Sequence, residues 1–297
     1  TEAGGHAADR RGPATSARPG RVSSLDGVRI VRFASPSGMS FGVLDGDGQV
    51  AQIEGHPFGT FSFTGQRFPR ADVRLLSPIL PSKVVCVGKN YAEHVKEMDT
   101  GDAPERPLLF LKPSTSVIGP GDAIRIPPGS TNVHHEVELA VVIGARGARN
   151  LTPEQVPGSV FGYTIAHDVN ERDMQKADGQ WTRAKGFDSF CPLGPWIETD
   201  LPGLGKDPAD LEVTCTVDGE LRQSGRTSQL LFDVPTLVSA ISQVMTLLPG
   251  DVVLTGTPSG VGPIVAGERV DVTIEGLGSL VNGVSGADTT STAGGPR

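Results

Sequence analysis

Apolar residues in this chain recur at a period of two or in short unbroken runs, the signatures of half-buried and fully buried strands. The pattern predicts strands at 28–33, 40–44 and 49–53, with Asp45-Gly46-Asp47-Gly48 as a hairpin turn. This meander ends by about Val73, and residues 75–78 form the link onward. Buried strands follow at 83–88 and 108–112. Between them Asn90 reads as a helix N-cap, with Glu93 completing a capping box, so a helix is expected from Tyr91 to about Met98 and a polar loop over 99–105. Residues 133–143 read as one long strand. Because side chains alternate along a strand, Glu136 and Glu138 share one face while Val137, Leu139, Val141 and Ile143 share the other. A strand over 160–168 ends in Asp168, and a short helix is expected at 170–176. Residues 211–217 and 220–223 form a hairpin around Asp218-Gly219. Residues 234–247 are the one good amphipathic helix, with Leu237, Val238, Ile241, Val244 and Met245 on one stripe. A strand at 252–258 runs into a Gly/Thr loop, and 269–275 closes the sheet. The chain is therefore a strand-dominated α+β protein.

Composition narrows the class. The length of 297 residues allows one large or two small domains, and 39 glycines with 24 prolines suit a turn-rich β or α+β protein. The net charge of −8, with no basic run, argues against a nucleic-acid surface. No apolar run approaches the ~18 residues of a membrane helix. Cys86, Cys191 and Cys215 are odd in number, widely spaced and in apolar settings, which reads as reduced core thiols in a cytoplasmic protein. Residues 1–27 and 286–297 lack periodicity and read as disordered tails, the first also lacking the apolar core of a signal peptide.

Candidate chemistry centres on Glu136 and Glu138. Two like charges on a mostly apolar strand repel and lose hydration unless a cation sits between them. With Asp168 they make three hard oxygen ligands, which favour Mg²⁺, Mn²⁺ or Ca²⁺ over zinc. The alternative for the pair alone is a half-exposed strand facing solvent. His94 and Glu97, spaced i, i+3, share a helix face, as a carboxylate-oriented general base would or as an ordinary charged surface would. Lys185, amid aromatic and small residues, suits oxyanion stabilisation or a solvated head. Residues 255–260 form a donor-rich loop that lacks the lysine of a phosphate-binding loop.

Six segments together resemble the fumarylacetoacetate hydrolase family, in the family's order and over about residues 82–283. They are Gly88-Lys89-Asn90-Tyr91-Ala92-Glu93-His94, Phe110-Leu111-Lys112-Pro113, the run His135 to Gly144, Asp168 to Gln175, Lys185-Gly186-Phe187-Asp188, and Leu254 to Gly262. Residues 28–78 look like the small N-terminal β-domain of many bacterial members, leaving 79–285 as the catalytic domain. The resemblance implies a mixed β-roll with a pseudo-barrel core, usually a homodimer. It assigns Glu136, Glu138 and Asp168 as ligands of Mg²⁺ or Mn²⁺, with Ca²⁺ as a substitute, and places Lys185 beside the substrate oxygen. Arg172, Gln175 and Thr257 match substrate-holding positions, and His94 and Glu97 match the lid dyad of acylpyruvase and oxaloacetate decarboxylase members. It implies a small-molecule 2-oxo acid substrate. The first expectation is hydrolysis of a C–C bond in an acylpyruvate-like or fumarylacetoacetate-like 1,3-diketo acid. The alternative is 2-hydroxyhepta-2,4-diene-1,7-dioate isomerase or a decarboxylase of oxaloacetate or 5-oxopent-3-ene-1,2,5-tricarboxylate in aromatic-acid breakdown. A non-catalytic Ca²⁺-stabilised β-protein is the reading from another class.

Overall fold

The computed structural model describes residues 1, 27–36, 38–97 and 102–286. The expected tails and the start of the expected 99–105 loop fall almost entirely outside those residues. The largest sheet runs in the order Phe61–Pro69, Gln49–Gly55, Gly38–Leu44, Arg29–Ser35, Cys191–Glu198, Val160–His167, Val137–Ile143, Val252–Leu254, Val84–Gly88, Leu108–Lys112. The N-terminal meander is continuous with it, because Arg29 pairs with Glu198 and Ile30 with Ile197. A second sheet orders Glu220–Arg226, Glu212–Val217, Arg269–Ile274, Gly278–Ser285 and Ile124–Arg125. A third, small sheet joins Asn170–Glu171, Val133–His135 and Gly262–Pro263.

The strand Val137–Ile143 is central to two cores, which is why its apolar run is unbroken. Val137, Leu139, Val141 and Ile143 pack with Val213, Cys215, Val272 and Leu280 of the second sheet and with Leu237, Val238 and Ile241 of the helix Val234–Val244. Ala140 and Val142, on the opposite face, pack with Cys86, Leu193 and Leu254 and with Ile30 and Val43 of the meander. The helix starts where Asp233 accepts a hydrogen bond from the Thr236 N–H at 2.9 Å, an N-cap in the usual geometry. It ends at Val244, three residues before the expected end at 247, because Met245 already has extended backbone. All three cysteines are buried free thiols.

Three local expectations change. Residues 75–78 are not only a link: Arg74–Leu76 is a strand pairing with Arg32, Phe33 and Ala34. The strand Cys191–Glu198 is hidden in the sequence by Pro192, Gly194 and Pro195, residues normally excluded from strand interiors. Asn90 does not cap the helix, which spans Ala92–Glu97. Its amide instead donates to the carbonyls of Thr255 at 2.8 Å and Phe232 at 3.0 Å and accepts from the Phe232 N–H at 2.8 Å. Asn90 is 1% exposed, so Asn90→Ala would strand three backbone groups. We expect this variant to lose about 2–4 kcal/mol of stability in chemical denaturation, well beyond the loss of a helix cap.

Candidate functional site

Glu136 and Glu138 do not lie on one regular strand. The chain leaves the small sheet after His135, which pairs with Gly262, and enters the large sheet at Val137, which pairs with His167. Glu136 is the corner, held by the Asp168 N–H donating to its carbonyl at 2.9 Å. This corner turns Glu136, Glu138 and Asp168 inward, with one carboxylate oxygen from each inside a 4.8 Å group. All three are buried, at 4%, 2% and 1% exposure. They line a cavity of about 190 Å³ together with His94, Arg172, Gln175, Lys185 and Thr257, so every residue singled out in the sequence except Glu97 borders one space.

Cations are interleaved with the acids. The Lys185 ammonium donates to Glu136 Oε2 at 2.7 Å and Asp168 Oδ2 at 2.6 Å. Arg172 Nη2 donates to Glu136 Oε1 at 2.8 Å. Lys112 Nζ donates to Asp168 Oδ1 at 2.5 Å and to the Val169 carbonyl at 3.0 Å. Burial opposes the charge on Lys185, yet the Asp168 and Glu136 carboxylates hold its pKa above the usual lysine value. Burial also works against ionised Glu136, but Lys185 and Arg172 overcome it and hold its carboxyl well below the usual range.

Glu138 is the exception. Its side chain accepts one hydrogen bond, from the Gly256 N–H at 2.6 Å, and has no cation of its own among the described residues. Burial, then the Asp168 and Glu136 charges, push its carboxyl well above the usual value. A buried carboxylate with no cation of its own among the described residues fits a resident divalent cation, and the all-oxygen donor set suits Mg²⁺, Mn²⁺ or Ca²⁺.

On the helix Ala92–Glu97, His94 Nδ1 lies 3.3 Å from Glu97 Oε2. Glu97 in turn accepts the Gly260 N–H at 3.0 and 3.1 Å, which pins this short helix to the loop after the strand Val252–Leu254. Burial lowers the His94 pKa against the opposing pull of Glu136 and Glu97, so the imidazole is neutral at pH 7. Gly256 adopts φ +102°, and a Cβ there would lie 2.8 Å from the Asn90 Cβ. Glycine at this point lets the backbone N–H reach Glu138.

Two residues had a less complete sequence signal than their position warrants. Lys112 ends an apolar strand and lies within one of the family-like segments, but nothing in its spacing linked it to Asp168. Arg172, expected to hold substrate, also neutralises Glu136. Gln175 Oε1 is occupied by Asn170 Nδ2 and Arg172 Nη1, both at 2.7 Å, while its NH₂ makes no hydrogen bond among the described residues.

The comparisons with known proteins agree with this architecture. Residues 83–285 match the family model described as fumarylacetoacetate (FAA) hydrolase C-terminal, and residues 28–78 match one described as Rv2993c-like, N-terminal. Protein Rv2993c of Mycobacterium tuberculosis is 54% identical over 86% of this chain and 98% of its own length. Oxaloacetate tautomerase Fahd2a, mitochondrial, of Rattus norvegicus is 44% identical over 73% of this chain and 71% of its own. Among solved structures, 2-hydroxyhepta-2,4-diene-1,7-dioate isomerase from Mycobacterium marinum is similar with a TM-score of 0.79 at 50% identity, covering 87% of this chain and 98% of that one. Maleylpyruvate hydrolase from Sphingobium sp. SYK-6, in complex with manganese (II) ion and pyruvate, gives a TM-score of 0.71 at 31% identity, covering 87% and 99%. These similarities, with a strand-built cavity lined by clustered acids, define an enzyme class rather than a binding module. The chain belongs to the fumarylacetoacetate hydrolase family. No helix among the described residues is long and apolar enough to cross a membrane.

Proposed function

We propose that the protein catalyses metal-dependent keto–enol interconversion of a short 2-oxo dicarboxylic acid of the oxaloacetate type. The observation that carries this reading is a carboxylate-oriented imidazole bordering the same cavity as three clustered carboxylates. The charges suggest the substrate class. Three buried acids meet three buried cations, Lys112, Lys185 and Arg172, so a resident dication leaves an excess of two positive charges. A dicarboxylate balances that excess.

Glu136, Glu138 and Asp168 would hold the cation, which when bound supplies Lewis acidity toward the 2-oxo and carboxylate oxygens of the substrate. The chain's own groups do the rest. Arg172, Gln175 and Thr257 hold the substrate's carboxylates at the cavity wall. His94 takes a proton from the carbon next to the 2-oxo group; the C–H pair becomes the enol double bond and the carbonyl pair moves to oxygen. Lys185 stabilises the negative charge on that oxygen. His94, now protonated, returns the proton to oxygen or carbon, and Glu97 keeps the ring oriented throughout.

Hydrolysis of a C–C bond is the second reading. It is favoured by the same His94–Glu97 pair, which suits activation of water, and by the similarity to maleylpyruvate hydrolase.

The test is exchange of the C3 protons of oxaloacetate for solvent deuterium, followed by NMR with Mg²⁺ or Mn²⁺. We expect strong acceleration that chelation abolishes. An exchange rate equal to that of the metal ion alone would refute the first reading, and cleavage of acylpyruvates without enhanced exchange would establish the second.

A further inference from the structure

Behind the cavity lies a fully buried glutamine, Gln223, that the mechanism above does not use. It sits on the strand Glu220–Arg226, whose register against Glu212–Val217 slips at this point: Cys215 faces Gln223 while Thr216 faces Leu221. Arg222 is therefore a bulged residue, and bulges re-aim neighbouring side chains. The loop that carries Thr257 packs directly on this bulge. A Cβ on Gly260 would lie 2.1 Å from the Arg222 carbonyl oxygen, and one on Gly225 would lie 2.7 Å from the Pro258 Cβ.

All the hydrogen-bonding capacity of Gln223 is used. Oε1 faces the Val137 N–H at 3.1 Å and His135 Nδ1 at 2.9 Å. Nε2 faces Thr257 Oγ1 and the Pro258 carbonyl, both at 2.8 Å. Two of these partners have no freedom: a backbone N–H only donates and a carbonyl only accepts. They determine which end of the amide is oxygen. Nε2 therefore donates to Thr257 Oγ1 and occupies a lone pair of the hydroxyl. That hydroxyl has no other hydrogen bond among the described residues, and Thr257 lines the cavity. Its proton is left for whatever the cavity holds.

We propose that Gln223 is a positioning residue that keeps the Thr257 hydroxyl as a hydrogen-bond donor toward a carboxylate in the cavity. Through the Val137 N–H it ties that donor to the chain corner that carries Glu136 and Glu138. The inference rests on the reading of the cavity as a 2-oxo-acid site.

Oxalate, with the flat chelating head of a 2-oxo acid, is the probe. Its binding is titrated calorimetrically at saturating Mn²⁺ in wild type, Gln223→Met, Thr257→Val, Thr257→Ser and the Gln223→Met/Thr257→Val double variant, and Mn²⁺ affinity is measured alongside. Loss of one hydrogen bond to a charged ligand predicts an oxalate Kd raised about tenfold in Gln223→Met and about tenfold in Thr257→Val. The double variant is expected to be no weaker than Thr257→Val alone, Thr257→Ser to bind as wild type does, and Mn²⁺ affinity to be unchanged throughout.

Multiplying losses in the double variant, or a parallel fall in Mn²⁺ affinity, would assign Gln223 a merely structural role and overturn the proposal. Should Gln223→Met not fold, Thr257→Val decides: undiminished oxalate binding there overturns the donor role. Wild-type protein that binds Mn²⁺ but not oxalate would overturn the 2-oxo-acid reading itself and this inference with it. That outcome is distinct from intact wild-type binding with an unaffected Gln223→Met, which overturns the inference alone.

Discussion

Glutamine in place of Glu138 is expected to abolish metal-dependent turnover and, at the same time, to make the metal-free protein more stable. The two effects have one origin. Glu138 is 2% exposed and among the described residues accepts only the Gly256 N–H, while Asp168 and Glu136 add like charge. Its folded-state pKa is raised, so the favourable neutral form persists at low pH. Stability is lost as pH rises from the ordinary carboxylate range through the folded value. The fold therefore disfavours the ionised side chain unless a cation answers it. The amide introduced by Glu138→Gln would still accept from the Gly256 N–H and would carry no charge.

A few kcal/mol of relief corresponds to a rise of several degrees in melting temperature for a chain of this size. The same substitution removes one anionic donor from the proposed metal site, and Mn²⁺ affinity should fall roughly hundredfold or more. Scanning calorimetry with and without Mn²⁺ reads both effects. A Glu138→Gln protein that melts below wild type without metal would contradict the account of Glu138 as an unanswered charge. Undiminished Mn²⁺ stabilisation would contradict its role as a ligand.

His94→Ala is expected to lower kcat by about 10²–10⁴-fold, the usual contribution of a positioned general base, with Mn²⁺ affinity unchanged because His94 lies outside the carboxylate set. The pH dependence follows from the depressed pKa. Burial moves His94 below the ordinary 6.5, so the base form prevails throughout the neutral range. In wild type, kcat/KM should be level from pH 7 upward and fall on the acid side of 6.5 as the imidazole gains its proton. His94→Ala should lack that acid limb. Glu97→Gln should keep the helix pinned through the Gly260 N–H but orient the ring less firmly, placing its rate between the two. A His94→Ala enzyme with wild-type turnover would remove the imidazole from the mechanism.

The sequence carried much of this arrangement and concealed specific parts of it. The strand period along 133–143 placed Val137, Leu139, Val141 and Ile143 on one face, the face that packs on the second sheet, because side chains alternate along a strand. It could not show the corner at Glu136. A chain that changes sheets keeps the same apolar pattern on either side, and the turn is made by a contact with Asp168 32 residues away. Asn90 illustrates the opposite error. Its spacing from Glu93 satisfies a local capping rule, yet its partners are the distant carbonyls of Phe232 and Thr255. Lys112 and Gln223 were similarly silent, since a polar residue inside a strand looks alike whether it meets solvent or a buried partner. The metal-type triad was legible because its three acids are clustered on two segments; of the countercharges, Arg172 shares the second segment, while Lys112 arrives from a distant strand.

The continuity of the N-terminal meander with the central sheet bears on how this chain can be cut. Ile30, Val43, Ile53 and Phe61 share a core with Cys86, Ala140, Val142, Leu193 and Leu254, which belong to the strands around the cavity. A fragment beginning near Lys83 would lay bare that apolar face, together with the backbone of Ile197 and Glu198 that Ile30 and Arg29 now cover. Such an unpaired border beside a greasy surface is a template for self-association. Expression of residues 83–285 by themselves should therefore yield aggregates, because the N-terminal meander covers the apolar face of the strands around the cavity.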